Sequence, residues 1–488
     1  MLRRAAIIFS LMVVFGLSWA TNAFALEVGV GEPLAWGPDD VWHTGRNIAQ
    51  NGLDNMQDLG VQWHRDWISW KEWQPARPDG SNASINQSAI DLLDYVEAGS
   101  RQRGIQTYAM IVGAPQWANG SNASAHIPGN GDPANPEFQK FVADYSNFVS
   151  QVVAMYRGRI DHWEIWGEPD LRDHWQIDNP SSDYNTRIRQ QAQGYAYMLE
   201  TVYRQAKEAN PDCKIIIGGI TTFTSDDFLQ ALYDEGAGPY FDITGIHPYT
   251  HNEKPSTSSL FAVIGDMRRV MDRSGDAGKP IWITELGWTT SGSDPQLTVT
   301  PEQKTEYQID ALNTVRNLYP SVQVLTFFRL IDQRWYNSTD TEAGFGLLNT
   351  DYYHDGVSSG HARYEKKPEF QALKSYISTM QPQIQLQLAA GNVFWANYGD
   401  YMSRLLSVDF NVLNAGTATS HEVRINSVRP SPNAEASSVL PLALGDIAPQ
   451  NTSSFRLKFD VPVDVNRFQV YVTGVATDDS GNVHNFPD

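Results

Sequence analysis

From Leu26 onward the chain alternates short apolar runs with longer stretches whose apolar residues recur at helical spacing. That rhythm predicts strand, helix, strand, helix: a parallel sheet with covering helices. Eight runs read as strands, at 27–31, 61–68, 106–112, 160–166, 214–218, 243–247, 281–285 and 324–330. Eight is the number that closes a parallel barrel; the span of about 350 residues exceeds the ~250 of a typical one, so long strand-to-helix loops are expected. The helix signals agree. Thr300-Pro301-Glu302-Gln303 joins an N-cap, a proline at the first helical position and a capping-box glutamine, ahead of a helix expected to reach about Leu318. Further helices are expected from about Tyr184 to Ala209 and from Asp91 to Arg103, the latter ended by Gly104.

Helical character fades after Met380, and Gln381-Pro382-Gln383 reads as a linker. Beyond it, short alternating runs such as Leu405–Val412, Ser454–Phe459 and Arg467–Val472 are separated by turn residues, which predicts a β-sandwich of about a hundred residues. Asn414-Ala415-Gly416 reads as a turn leading into Val423-Arg424-Ile425. The stretch from Asn411 to Ile425 resembles the hairpin of secreted bacterial immunoglobulin-like modules. The expected role is a packing or spacer module, with carbohydrate binding as the second choice. The predicted layout is a secretory signal over 1–25, the barrel over 26–380 and the sandwich over 381–488.

Composition narrows the partners. A net charge of −20, from 36 Lys+Arg against 56 Asp+Glu, argues against nucleic acid and anionic membrane surfaces. Arg3 and Arg4, the apolar stretch from Ala5 to Trp19 and Ala23-Phe24-Ala25 make a secretory signal with its cleavage site, so a secreted or periplasmic protein with no membrane span after cleavage is expected. Cys213 is the only cysteine, which excludes an intrachain disulfide. The 15 tryptophans suit both core filling and stacking on sugar rings.

Two strands end on carboxylates. Trp163-Glu164-Ile165-Trp166-Gly167-Glu168-Pro169 is an apolar run closed by Glu168, and Pro280-Ile281-Trp282-Ile283-Thr284-Glu285-Leu286-Gly287-Trp288 is another that reaches Glu285. The C-terminal ends of barrel strands are where such folds keep their chemistry. Two carboxyls roughly 5–5.5 Å apart are what hydrolysis of a glycosidic bond with retention requires. Together, W-x-x-W-x-E-P and T-E-x-G-W resemble the retaining (β/α)8 TIM-barrel glycoside hydrolases, nearest to family 39 and its bacterial exopolysaccharide-hydrolase relatives, over roughly 27–380. The resemblance implies Glu168 as the acid/base and Glu285 as the nucleophile. An ionised Glu285 is expected to raise the pKa of Glu168. Strand alternation puts Glu164 on the same face as Glu168, one step deeper, as a structural residue.

The resemblance also implies supporting residues. In His247-Pro248-Tyr249 the tyrosine would hold the nucleophile and the histidine would touch the rim or the substrate. Arg65, too costly to bury unpaired, would pair with Glu285, with a purely structural pair as the rival. Trp117, Trp288 and Trp335 lie just past strands three, seven and eight and are expected as sugar platforms, with Trp36, Trp70 and Trp175 as further candidates. One position departs from the family pattern: Gly167 stands where an asparagine normally contacts the 2-hydroxyl of the sugar. Three readings follow: another donor, His247 or a strand-five loop residue such as Thr222, replaces it; Gly167 makes room for a bulky or modified group at C2; or the chain has lost hydrolytic power and only binds glycan. No metal is expected, because no cluster has ligand spacing, and no cofactor, because Gly218-Gly219 is too short for a phosphate loop. The expected function is a secreted retaining glycosidase acting on an oligo- or polysaccharide; the alternative is a non-catalytic glycan-binding or adhesion protein on a disabled barrel.

Overall fold

The computed structural model describes residues 26–36, 46–78, 85–332, 340–350, 364–380, 384, 386–431, 435–462, 469–479, 481 and 483–486. The expected secretory signal and Trp335 lie outside the described residues. The chain divides into two compact units, Met1–Ser378 and Thr379–Asp488.

The first unit is a ring of parallel strands: β1 (Glu27–Gly31), β2 (Trp63–Ser69), β3 (Gln106–Val112), β4 (His162–Ile165), β5 (Lys214–Ile217), β6 (Thr244–His247), β7 (Ile281–Leu286) and β8 (Val322–Phe328). β8 returns to β1, with Val324 opposite Glu27. β5 stops at Ile217 and resumes as Ile220–Thr221, the piece that pairs along β6. A bridge between Ile216 and Ile243 ties its first piece to the residue before β6. The fold is the (β/α)8 barrel that the eight apolar runs predict, with a break in one strand.

The break has a steric cause. A Cβ on Gly218 would lie 2.8 Å from the Trp166 carbonyl oxygen, and one on Gly219 would lie 2.0 Å from His247 Nε2. Only glycine lets the loop after β4 and the imidazole of β6 approach β5 this closely. This Gly-Gly pair therefore serves packing.

The barrel floor is aromatic. Trp63 of β2, Tyr108 of β3 and Trp282 of β7 meet edge to face at 4.8–6.0 Å, the arrangement that ring quadrupoles favour. His162 stacks on Trp282 at 5.1 Å. Much of the tryptophan excess is spent here and beneath the helices, where Trp70, Trp73, Trp163 and Trp175 are buried. Outside the ring, the helix Pro301–Leu318 carries the expected capping box, and Tyr184–Ala209 runs as expected. The helix Gln87–Gln102 starts before Asp91 because the Asn86 side chain caps it, accepting from Ser88 N. Among the described residues no helix is long and apolar enough to cross a membrane.

The second unit is two four-stranded sheets. Leu386–Phe394, Leu405–Asn414, Thr452–Asp460 and Glu435–Ala436 form one, in that order; Leu442–Ile447, Ser420–Ser431, Gln469–Thr477 and Val483–Phe486 form the other. Phe410, Val412 and Leu457 of the first share a core with Val423, Ile425 and Val472 of the second, which makes a β-sandwich. The expected hairpin over Asn411 to Ile425 is instead a crossing between sheets, because Leu405–Asn414 and Ser420–Ser431 belong to different ones. Buried Asn414 builds that corner: its amide donates to the carbonyls of Ala418 and Ile447 and its oxygen accepts from Gly416 N.

Candidate active site

β4 ends at Ile165, earlier than the sequence suggests, and a strained loop follows. Trp166 and Glu168 both take left-handed backbone angles, with φ of 64° and 46°. Each costs about 1–2 kcal/mol for a residue with a side chain. The surroundings hold them there. The buried Trp166 indole donates to the His174 carbonyl at 2.8 Å and sits edge-on to Trp175. Buried Asp170 clips the loop to the resumed piece of β5, accepting from Thr221 N at 3.1 Å and from the hydroxyls of Thr221 and Thr224. Strand alternation therefore does not aim Glu168; this turn does.

Four strands bring one cluster together. Arg65 of β2 is fully buried between two carboxylates, with Nε donating to Glu164 Oε2 at 2.7 Å and Nη1 to Glu285 Oε1 at 2.6 Å. Glu164 also accepts from Gly219 N and from the Thr284 hydroxyl, at 3.0 and 3.1 Å. Tyr249 donates to Glu285 Oε2 at 3.0 Å. His247 places Nδ1 2.7 Å from Glu168 Oε1 and Nε2 3.0 Å from Thr284 Oγ1. His174, on the loop after β4, places Nδ1 2.7 Å from Glu168 Oε2. One oxygen each of Glu168 and Glu285 and one ring nitrogen of His247 lie within 4.8 Å of one another. Arg65 already supplies positive charge beside Glu285, so the trio reads as an acid–base cluster.

The electrostatics differ from expectation at Glu168. Burial is the largest influence and pushes its carboxyl up, yet the hydrogen bonds from His174 and His247 outweigh it and hold the group well below the usual carboxylate range. A rise driven by Glu285 does not emerge, because the imidazoles sit in contact and compensate. The histidines shift the other way. His174 is raised, first by its bond to Glu168. His247 is lowered by burial, but Glu285 and Glu168 more than reverse that. Burial, then Glu285, keeps Tyr249 a neutral phenol and hence a donor. Burial also works against the Arg65 cation, and Glu164 and Glu285 overcome it.

The cluster opens into a cleft of about 540 Å³, within the ~300–1,000 Å³ of small-molecule sites. Its aromatic lining is Trp36, Trp67, Phe328, Phe345 and Tyr249. Three expected platforms are elsewhere or undescribed. Trp288 is 1% exposed, its indole donating to Thr250 Oγ1 and its ring against Tyr307. Trp117 donates to the Gln74 carbonyl and packs between Trp70 and Arg77. Trp335 is not described. Trp70 and Trp175 are core residues, and of the expected tryptophans Trp36 alone lines the cleft among the described residues. Gly167 lines the cleft too, and a Cβ there would lie 2.8 Å from Met110 Sδ. Thr222 is no substitute donor, since its hydroxyl is directed at the carbonyls of His247 and Tyr249.

Sequence reasoning passed over His174, Met110, Trp67 and Glu342, all of which line the cleft. Trp67 was within reach, since it follows Arg65 by two on the same strand and so shares its face. His174 carried no comparable signal, because the loop's fold alone brings it back onto Glu168. Glu342 sits on a short turn, Thr341–Gly344, and burial raises its carboxyl.

A closed β/α barrel with two carboxyls facing each other across an open cleft, one backed by a guanidinium and a phenol, defines a retaining O-glycosyl hydrolase of the (β/α)8 clan. The family follows from residues 112–375, more than half of the chain, which match the model described as glycosyl hydrolase family 10; the chain belongs to that family. No curated protein matches the chain. Among solved structures, the chain is similar to a family 39 glycoside hydrolase from the gut symbiont Bacteroides cellulosilyticus WH2, at 16% identity and a TM-score of 0.54, over 91% of this chain and 82% of that one. It is similar to GH5_18 from Streptomyces cattleya in complex with GlcNAc, at 14% and 0.53, over 73% and 81%. It is also similar to the family 1 β-glucosidase from Thermotoga maritima, at 13% and 0.51, over 72% and 97%. At these identities the likeness is one of fold.

Proposed function

We propose that this glycosidase is secreted or periplasmic and cleaves an oligo- or polysaccharide by double displacement, with Glu285 as nucleophile and Glu168 as acid/base. The observation that carries the reading is the approach of Glu168 and Glu285 oxygens to within 4.8 Å. That is near the ~5–5.5 Å of a retaining pair and too close for the ~6.5–9.5 Å of an inverting one. Arg65 and Tyr249 hold both Glu285 oxygens, which aims the nucleophile. Once a glycosyl group esterifies Glu285, its charge is gone and Glu168 can take a proton from water. The aromatic lining suits the apolar faces of sugar rings, and the residues ahead of Leu26 have the makeup of an export signal.

Trapping with 2-fluoro glycosides, followed by mass mapping of the labelled peptide, tests the assignment. A label on Glu285 is expected, and a label on any other carboxylate sinks it. Turnover on a glycan panel beside Glu285→Gln tests the chemistry: wild type should release sugar with retention and the variant should not.

A further inference from the structure

Glu168 has two oxygens, and each already meets an imidazole. His247 Nδ1 stands 2.7 Å from Oε1 and His174 Nδ1 2.7 Å from Oε2. Each ring therefore competes with a glycosidic oxygen for room beside the carboxyl oxygen it meets. The two are not equally able to give way. The His247 side chain is 1% exposed, is held at its other nitrogen by Thr284, and fills the space above Gly219. The His174 side chain is 49% exposed and belongs to the cleft wall. Its backbone is pinned through the Trp166 indole, so the ring can turn about its own bonds while the loop stays in place.

Resting on the assignment of Glu168 as acid/base, we propose that His174 is a positioning residue that stores the catalytic proton. In the empty cleft it holds the proton against Glu168, hands it over as a sugar enters, and swings aside to free Oε2. The transfer balances. The Nδ1–H bond of the imidazolium breaks and its proton forms an O–H bond on Glu168 Oε2, which leaves a neutral imidazole and a neutral carboxyl. The carboxyl then protonates the leaving oxygen as Glu285 bonds to the anomeric carbon and the C–O bond breaks, releasing an alcohol. In the second half a water oxygen bonds to that carbon and the ester bond to Glu285 breaks. The water's proton goes to Glu168 and returns to His174 when the sugar leaves.

The charge around the ring agrees with storage there. Glu168 from its own loop, Glu285 from β7 and His247 from β6 act on His174, and His251 and Glu342 line the same cleft. The bond to Glu168 raises His174 above its ordinary value, while Glu168 is held low.

The test has two arms on the full-length protein. Nuclear magnetic resonance of 15N-histidine-labelled wild type should show the His174 ring titrating above the ordinary histidine range, and Glu168→Gln should bring it back; a ring at the ordinary value in both overturns the proposal. In the second arm, the pH profile of kcat/KM is measured on a glycan from the panel that wild type cleaves. His174→Asn and His174→Gln should move the basic limb to lower pH by about one unit, an ~10-fold loss above the limb, and added imidazole should restore it. An unmoved limb overturns proton storage while leaving the glycosidase reading intact. A wild type inert on every glycan, like Glu285→Gln, overturns that reading instead and takes this one with it. Because the side chain is half-exposed, neither variant opens the core.

Discussion

The thioether sulfur of Met110 lies 2.8 Å from the point where a β-carbon on Gly167 would stand, and 3.1 Å from Arg65 Nη2. In β-sheet register Met110 is level with Glu164, so it fills the corner between the β4 loop and the guanidinium. The missing side chain at 167 and the long one at 110 are two halves of one fit.

That fit is open to a double-mutant cycle. Gly167→Ala should destabilise the fold by about 1–3 kcal/mol through overpacking. Met110→Ala alone should cost about 2–5 kcal/mol. Combined, they should cost less than the sum by roughly 1 kcal/mol, because the new methyl enters the vacated space. Urea denaturation of the four proteins reads this, and strict additivity would mean that the two positions do not meet.

Tyr249→Phe removes one hydroxyl that donates to Glu285 Oε2 at 3.0 Å. A hydrogen bond to a charged group contributes about 1.5–3 kcal/mol. On whichever glycan wild type cleaves, kcat should fall by about 10- to 100-fold as Glu285 loses its orientation, and the urea midpoint should drop too, because the bond is already made in the resting protein. Full activity in the variant would remove Tyr249 from the site.

Asp66 gives a pH dependence of stability. It is a fully buried residue of β2 and accepts from Ala35 N at 3.1 Å and Trp67 N at 2.8 Å. Burial pushes its carboxyl from 3.8 up to about 8. Because the folded value is the higher one, the stabilisation is whole below the unfolded value and is lost as pH climbs through the folded one. The slope between those limits approaches ~1.4 kcal/mol per pH unit. Asp66→Asn keeps the acceptor oxygen without the ionisation, so its unfolding free energy should be flatter than wild type from pH 4 to pH 8. Parallel curves for the two proteins would show that Asp66 carries none of the slope.

The tryptophans separate substrate contact from packing. Trp36 lines the cleft and Trp288 is buried. Trp36→Ala should raise KM with the urea midpoint nearly unchanged, whereas Trp288→Ala should cost about 3–5 kcal/mol of stability. A reversed pattern would put the sugar on the other ring.

The barrel strands were readable because each buries both faces and so appears as an apolar run; β3 occupies the residues the pattern marks. Strand ends were less readable. Trp166 continues the apolar run but turns left-handed, and nothing in the composition of Trp166-Gly167-Glu168 announces that. The break in β5 was present in the sequence as Gly218-Gly219, but its meaning depends on what packs against it, the Trp166 carbonyl and the His247 ring. Positions at strand ends locate Glu168 and Glu285. They do not say which way a ring just past a strand points, and so Trp117 and Trp288 were expected in the cleft. Long-range contacts such as His174 on Glu168 leave no periodic trace at all.

The clip from Asp170 to Thr221 and Thr224 has a consequence for engineering. It makes the tip of the fifth strand a lever on the height of Glu168 above the cleft. Swapping in a longer tail after Gly219, as a loop graft would, drags that acid away from its opposite number even when every residue in the cleft is left untouched.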